Sequence, residues 1–120
     1  MDLIIGGAYQ GKLTYAKAVY DISDEEVFTC TDDDIDFSKR CIYHIEDFVW
    51  YNPNALEYFR SHREDWKDSI LICQDIFCGV VPMDPKNRVW RQTTGRLCQY
   101  LSREAQQVSR IFCGLEQRLK

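Results

Sequence analysis

The chain has 120 residues, a formal net charge of −4 and an apolar fraction of 45%. This length leaves room for one domain only, so we expect a single domain over residues 1–120 and no separate substrate domain. The apolar fraction supports a buried core and argues against disorder. No apolar run approaches the roughly 18 residues of a membrane span, and no cationic segment precedes an apolar stretch near Met1, so we expect a cytoplasmic protein without a membrane partner.

Charge is divided unevenly along the sequence. Residues 1–80 carry 16 acidic and 7 basic side chains, whereas residues 81–120 carry 3 acidic and 8 basic ones. Basic helix faces in solvent would produce this division, and so would a surface for an anionic ligand. Because the basic residues are spaced along a periodic segment rather than massed in a run, nucleic acid is not an expected partner.

Six cysteines are present, and no two of them have the CxxC spacing of a zinc site. Cys30, Cys73 and Cys113 each lie within or at the end of an apolar run. A reduced thiol in such a place packs as a small hydrophobic side chain. We therefore expect reduced, buried cysteines rather than disulfide bridges.

The first half of the chain predicts three strands and a helix. Residues 3–5 are a short apolar run that two glycines end, which is typical of a buried strand followed by a turn. In residues 12–20 the apolar side chains recur at three- and four-residue spacing, which predicts a helix. Residues 26–30 and residues 41–45 predict the second and third strands, and an acidic turn follows the second.

The second half predicts two helices and two strands. Pro53 suits the first turn of a helix, because its missing N–H would have no partner there. Residues 69–73 are the clearest buried strand, and a loop over residues 79–85 separates it from an amphipathic helix over residues 87–106. Residues 108–113 predict a last strand. Strands that alternate with helices indicate an α/β fold with a mainly parallel sheet covered on both faces.

A glycine-rich segment lies between the first predicted strand and the first predicted helix. It reads Gly-Gly-Ala-Tyr-Gln-Gly-Lys and fits the phosphate-binding pattern GxxxxGK. In such a loop the main-chain N–H groups and the helix N-terminus face the phosphates, and the lysine ammonium reaches the terminal ones. A glycine-rich turn without a ligand is the alternative. The predicted nucleotide-binding residues are Gly6, Gly7, Ala8, Tyr9, Gln10, Gly11, Lys12, Leu13 and Thr14.

Leu13 stands where the pattern requires a Ser or Thr hydroxyl to ligate Mg²⁺. Thr14 comes next, but a shift of one residue rotates a helical side chain by about 100°. Three alternatives remain open. Thr14 serves after a local adjustment, a water and a carboxylate hold the metal, or phosphate is bound with weakened catalysis.

Carboxylates follow several predicted strands, at the edge of a parallel sheet where ligands bind. Asp75 is the best placed, directly after the clearest strand, and would hold Mg²⁺ or accept a substrate hydroxyl proton. A solvated cap is an equal alternative for Asp75 and the expected role of the acidic turn. The other candidates are Asp32, Asp33, Asp34, Glu46 and Asp47.

Neither histidine has a metal-ligand partner at a suitable spacing. His44 lies inside the third predicted strand, where we expect core packing, and His62 lies in a polar stretch, where we expect a surface position. For the large aromatic side chains near element ends we expect core or rim packing rather than a pocket. These are Trp50, Tyr51, Trp66 and Trp90.

Motifs in the second half carry a family resemblance. Residues 74–82 read Gln-Asp-Ile-Phe-Cys-Gly-Val-Val-Pro, and the predicted long helix then contains the Asn-Arg, Trp-Arg and Gly-Arg pairs that end at Arg88, Arg91 and Arg96. The chain closes with Phe-Cys-Gly-Leu and a final Leu-Lys. Together with GGAYQGK, these motifs resemble the adenosylcobinamide kinase/adenosylcobinamide-phosphate guanylyltransferase family, whose patterns read approximately NEVGxGIVPxNR and GGARSGKS. The matched stretches cover about half of the chain.

The resemblance implies a P-loop NTPase-like three-layer α/β sandwich with a mainly parallel sheet. It also implies GTP or ATP as phosphoryl donor, Mg²⁺, a corrinoid acceptor, and a homo-oligomer such as a trimer. By position, Lys12 and Asp75 would be catalytic, and Thr14 and Asp75 would ligate the metal. The three arginines, Arg88, Arg91 and Arg96, would lie beside phosphate or at a subunit contact.

The chain departs from the family in its middle section. Family members have a longer segment there with a histidine that takes up the guanylyl group, whereas here only residues 31–39 occupy that interval, and none is a histidine. A nucleophile at His44 would lie inside a strand, so we do not assign it that role. We predict a nucleotide-dependent cobinamide kinase without guanylyltransferase activity. The alternative is a catalytically weak nucleotide-binding subunit with a regulatory or scaffold role.

Overall fold

A six-stranded sheet forms the centre of the computed structural model, which describes residues 1–76 and 83–120. The strand order is β2-β3-β4-β1-β5-β6, and all neighbours are parallel except β5 and β6. Strands β1 and β4 lie in the middle, which explains why both are apolar along nearly their whole length. The strands are β1 Asp2–Gly6, β2 Val27–Thr29, β3 Cys41–Tyr43, β4 Ile70–Gln74, β5 Gln107–Phe112 and β6 Leu115–Arg118.

Five α-helices in the described residues cover the two faces of this sheet. Successive side chains of a strand point to opposite faces, so Ile4 of β1 packs with Ala16 on one face while Leu3 packs with Phe48 and Leu97 on the other. Among the described helices, the first therefore lies alone on its face, and the other four share the opposite one. The helices are α1 Lys12–Tyr20, α2 Ile45–Tyr51, α3 Ala55–Ser61, α4 Arg63–Trp66 and α5 Pro85–Glu104.

This architecture confirms the predicted α/β fold with a mainly parallel sheet covered on both faces, and it is consistent with a P-loop-like sandwich. The first strand and α1 lie where the sequence predicts them. Helix α5 is present as predicted but begins two residues before residue 87, because Asp84 caps it through the main-chain N–H of Lys86 and Pro85, expected in the loop, occupies its first turn. It ends at Glu104 rather than at residue 106. No helix of the described residues is long and apolar enough to cross a membrane.

Other local features of the structure differ from the predictions or lie outside the described residues. The third strand ends at Tyr43 rather than residue 45, and the unpredicted helix α2 begins at Ile45. The helix after Pro53 begins two residues later than predicted, at Ala55. Strand β6 was not predicted, because its residues are exposed along their whole length and have no apolar alternation. Of the predicted loop over residues 79–85, residues 79–82 lie outside the described chain.

The five cysteines that the structure describes have free thiols, and one of these residues is not buried. Four free thiols lie in the core, at Cys30, Cys41, Cys73 and Cys98. Cys113 is exposed, because it occupies the turn between β5 and β6 with a left-handed backbone φ of 52°. The prediction of burial for Cys113 was therefore wrong. Residue 78 lies outside the described residues.

Candidate functional site

The carboxyl ends of β1 and β4 lie side by side in the sheet. The chain leaves β1 for α1 on one face, whereas the chain after β4 returns as α5 on the other face. The main-chain N–H of Asp75 donates to the oxygen of Gly6 at 3.0 Å and ties the two strand ends together. Open parallel sheets bind ligands in the crevice at such a topological switch point.

A cavity of about 550 Å³ opens at this edge of the sheet. One wall consists of residues 8–14, which are the glycine-rich loop and the first turn of α1. The facing wall consists of Tyr43, His44 and Glu46, and Gln74 lies at the end of the strand between the two walls. The volume is in the range of small-ligand sites in proteins.

Two glycines allow the loop to take its path. A Cβ atom at Gly6 would lie 2.5 Å from the main-chain oxygen of Ile111, so no larger residue fits against β5. Gly11 precedes α1 with a φ of 90°, which side chains rarely tolerate. Tyr9, at the tip of the loop, also has a left-handed φ and is fully exposed.

The turn between β5 and β6 supports the loop from its outer side. The main-chain oxygen of Gln10 accepts from the N–H of Gly114 at 3.0 Å, and its side-chain oxygen accepts from the N–H of Cys113 at 2.5 Å. The loop is therefore anchored at both ends, to β4 through Gly6 and to the hairpin through Gln10.

Lys12 is the cation of this cavity. Its side chain is 7% exposed, and its Nζ donates to the main-chain oxygen of Gly7 at 2.6 Å. Loss of hydration lowers the pKa of Lys12, while the carboxylates of Glu46 and Asp75 act in the opposite direction. An anionic ligand would compensate for the lost hydration of this ammonium group.

Glu46 places a buried carboxylate on the facing wall. It is 4% exposed, and its Oε1 accepts from the main-chain N–H of Gln74 at 2.9 Å. Its main-chain oxygen accepts from the indole N–H of Trp90 at 2.6 Å. Two oxygens of this buried residue thus have protein donors, and a buried charge requires such partners.

His44 lies at the point where β3 ends and α2 begins. Its φ of 61° turns the backbone out of the strand, so the prediction that it packs inside a strand was wrong. Nδ1 lies 3.0 Å from Oε2 of Glu46 and 3.3 Å from Oδ2 of Asp47, and about a third of the side chain is exposed. The local pattern Ile-Tyr-His-Ile continues the apolar run and contains no turn residue, which is why the sequence did not reveal this position.

His44, Glu46 and Asp47 also form a group with metal-ligating atoms. Among the residues that the structure describes, they are the group of three such side chains whose ligand atoms all lie within 4.8 Å of one another. Both carboxylates lie at hydrogen-bonding distance of Nδ1, so a proton on Nδ1 accounts for this grouping. The sequence identified Glu46 and Asp47 only as carboxylates that follow a strand, and it did not predict their contact with His44.

The predicted magnesium ligands lie near the loop. Thr14 lines the cavity, and Oδ1 of Asp75 lies 3.7 Å from where a Cβ at Gly7 would be. The side chain of Leu13 packs against the core on the α1 face. Thr14 and Asp75 thus both lie beside the loop, although Asp75 is not among the residues that line the cavity, and the aliphatic side chain of Leu13 offers no metal ligand.

The other predicted positions lie away from the cavity. The acidic turn is exposed, with the N–H of Asp34 bonded to the carboxylate of Asp32, as expected of a solvated turn. None of the three α5 arginines is among the cavity-lining residues of the described chain. His62 is half-buried against Phe37 and Tyr58 rather than fully at the surface.

The large aromatic residues divide between core and rim, as the sequence predicts. Trp66 is buried, and its indole N–H donates to the main-chain oxygen of Phe59 at 2.7 Å. Trp50 and Trp90 are partly exposed and pack edge to face at 5.2 Å between ring centroids. Tyr51 is exposed.

Comparison with known protein families gives one match. The model of the family described as cobinamide kinase / cobinamide phosphate guanyltransferase matches residues 50–119, more than half of the chain. No curated protein matches the chain significantly. The matched stretch begins after the glycine-rich loop, so the family match and the phosphate-binding pattern are independent observations.

Proposed function

Because this chain belongs to the cobinamide kinase / cobinamide phosphate guanyltransferase family, a family of cobalamin biosynthesis, we propose that it is a nucleotide-dependent kinase that phosphorylates cobinamide. A single nucleotide-binding domain, residues 1–120, would carry the activity. The observation that carries this proposal is the cavity that places the buried ammonium of Lys12 beside the glycine-rich loop.

The loop is the proposed site of the nucleotide phosphates. Residues 6–14 would hold the triphosphate of GTP or ATP, with the main-chain N–H groups at the start of α1 facing the phosphate oxygens. Lys12 would exchange its bond to the oxygen of Gly7 for a phosphate oxygen. That exchange replaces a neutral acceptor with a charged one, so the attraction between opposite charges is added to a bond whose donor is already ionised.

Transfer would take place at the carboxyl edge of the sheet. The acceptor hydroxyl would attack the terminal phosphorus while the bond to the leaving nucleoside diphosphate breaks, and Lys12 with the loop N–H groups would stabilise the charge on the transferred group. Asp75, beside Gly7, would orient the acceptor or, with Thr14, hold Mg²⁺. A magnesium ion supplies neutralisation of phosphate charge when it is bound.

We assign no guanylyl transfer to the chain, because the interval over residues 31–39 contains no histidine to take up the group. A second argument against guanylyl transfer was that His44 would lie inside a strand. Because His44 lines the cavity instead, that argument no longer holds, but the first one does. A homo-oligomer such as a trimer remains part of the proposal. Arg88, Arg91 and Arg96 on α5 would serve a subunit contact or a phosphate.

A second candidate function rests on Leu13. Its side chain belongs to the core and leaves the loop without the hydroxyl that ligates magnesium in P-loop enzymes. A chain that binds nucleotide through the loop and transfers phosphate poorly would act as a regulatory or scaffold subunit.

Calorimetry and a transfer assay separate these functions. We expect GTP or ATP with Mg²⁺ to bind the purified protein and to transfer phosphate to cobinamide, as measured by mass spectrometry of the product. Binding without transfer would favour the regulatory subunit. Lys12→Ala should abolish triphosphate binding, whereas Lys17→Ala, which removes a lysine from the same helix outside the cavity, should preserve it. Unchanged affinity in Lys12→Ala would contradict both functions.

A further inference from the structure

A histidine and a buried carboxylate form a dyad on the wall that faces the loop. Oε2 of Glu46 lies 3.0 Å from Nδ1 of His44, and Oε1 of Glu46 is held by the N–H of Gln74. The carboxylate cannot turn away from the ring without losing its bond to β4. The buried carboxylate therefore fixes the direction of the imidazole.

The partners of Nδ1 determine which ring nitrogen is free. Both neighbours of Nδ1 are carboxylate oxygens, from Glu46 and Asp47, and an ionised carboxylate only accepts hydrogen bonds. The proton of a neutral His44 ring therefore belongs on Nδ1. Nε2 is then left with a lone pair that can accept a proton.

The dyad and Lys12 lie on opposite walls of one cavity. Strand β4 separates the ends of β1 and β3, so these ends are two inter-strand spacings, or about 10 Å, apart. A phosphate on the loop and a hydroxyl beside His44 would both fit between them. The side chain of His44 is partly exposed at this wall, whereas that of Glu46 is buried behind it.

We propose that His44 is the proton acceptor for the hydroxyl group of the phosphoryl acceptor, and that Glu46 is its positioning residue. This inference rests on the proposed kinase function. The hydroxyl oxygen forms a bond to the terminal phosphorus, the bond from that phosphorus to the leaving nucleoside diphosphate breaks, and the hydroxyl proton passes to Nε2 of His44. Release of the proton to water restores the dyad.

Variants whose new residue tolerates the backbone conformation of His44 test this role. His44 has a left-handed φ, which Asn and Gly tolerate, so His44→Asn and His44→Gly should fold. We expect His44→Asn to lower kcat about 100-fold or more while nucleotide affinity stays within about twofold. Added imidazole should restore kcat at least tenfold in His44→Gly and not in Lys12→Ala. His62→Asn, at the histidine outside the cavity, should keep wild-type kcat.

Glu46→Gln tests the positioning role separately. The amide presents either a donor or an acceptor to the ring, so it no longer requires the proton on Nδ1. We expect kcat to fall at least tenfold with little change in KM, as a misoriented base predicts. A purely structural role of Glu46 would instead change KM and thermal stability and leave kcat near the wild-type value.

A chemical label gives a readout that does not depend on turnover. Diethylpyrocarbonate should modify His44, and cobinamide with Mg-nucleotide should slow this modification at least fivefold relative to His62, as measured by mass spectrometry. Full transfer activity in His44→Asn, or no protection of His44 in a protein that binds nucleotide, would overturn the proposal for the dyad while the kinase function stands. Absence of nucleotide binding or of transfer in the wild type would overturn both proposals.

Discussion

The indole N–H of Trp90 donates a 2.6 Å hydrogen bond to the main-chain oxygen of Glu46. This bond joins α5 to the first turn of α2, and the two residues are 44 positions apart in the sequence. The carboxylate of the same glutamate reaches the end of β4 through Gln74. Glu46, in the cavity wall, is therefore held by one hydrogen bond from β4 and by another from α5.

Trp90→Phe should lower the free energy of unfolding by about 1–2 kcal/mol, because it keeps most of the apolar contact but leaves the oxygen of Glu46 without its donor. Urea unfolding monitored by far-UV circular dichroism measures this change. Trp50→Phe is the matched control, since the Trp50 ring packs against Trp90 and the Lys86 ammonium. Equal losses in the two variants would mean that the hydrogen bond contributes nothing specific.

Gly6→Ala and Gly7→Ala should differ sharply in stability although they are adjacent. At Gly6 the new methyl group would meet the main-chain oxygen of Ile111 at 2.5 Å, which a packed sheet cannot relieve cheaply, so we expect a loss of about 2 kcal/mol or more. At Gly7 the nearest atom, Cγ of Gln10, is 3.6 Å away, which is an ordinary contact. Thermal unfolding compares the two variants, and a similar loss in both would contradict the assigned path of the loop.

Tyr20→Phe should reduce the dependence of the free energy of unfolding on pH at alkaline pH. Burial, and then the carboxylate of Asp2, which accepts from the Tyr20 hydroxyl at 2.6 Å, raise the pKa of Tyr20 above its ordinary value of 10.0. Above pH 10 the hydroxyl of Tyr20 loses its proton in the unfolded chain but keeps it in the folded chain. The contribution of Tyr20 to the free energy of unfolding is therefore fully present below pH 10 and is lost as the pH rises further. Urea unfolding between pH 8 and pH 11, about the range of the ordinary tyrosine pKa, measures the slope. Tyr51→Phe, at an exposed tyrosine, is the control, and an unchanged slope in Tyr20→Phe would refute the effect.

Cys113→Ser should remove one rapidly reacting thiol from the native protein. Cys113 is exposed in the hairpin turn, whereas burial raises the pKa of both Cys30 and Cys41 to about 12 and keeps their thiols protonated and shielded. A disulfide reagent with a coloured leaving group measures the fast phase at pH 8. In Cys41→Ala the amplitude of the fast phase should be unchanged, and an unchanged amplitude in Cys113→Ser would show that Cys113 is not a rapidly reacting thiol.

Local signals account for the parts of the site that were predicted correctly. The end of β1, the glycine-rich loop and the start of α1 are continuous in sequence, and an apolar run, paired glycines and helical spacing identify them without reference to the rest of the chain. The amphipathic pattern that predicted α5 is a local signal in the same sense, and Leu97 and Leu101 on its apolar face are buried.

The facing wall had no such signal. His44 interrupts no apolar pattern, and whether it continues β3 or ends it depends on a single positive φ. The sequence also did not predict that the β5–β6 turn supports the loop, because the supporting hydrogen bond joins Gln10 to Cys113, 103 positions away.

The amino-acid sequence alone was sufficient for the α/β class, the family and the position of the glycine-rich loop between β1 and α1, because each depends on residues that are neighbours in the chain or on motifs of fixed spacing. The dyad of His44 and Glu46 opposite Lys12 came only from the folded chain. The register of β3 on β4 and the packing of α5 on α2 bring these groups together, and both arise from contacts between residues that are far apart in sequence.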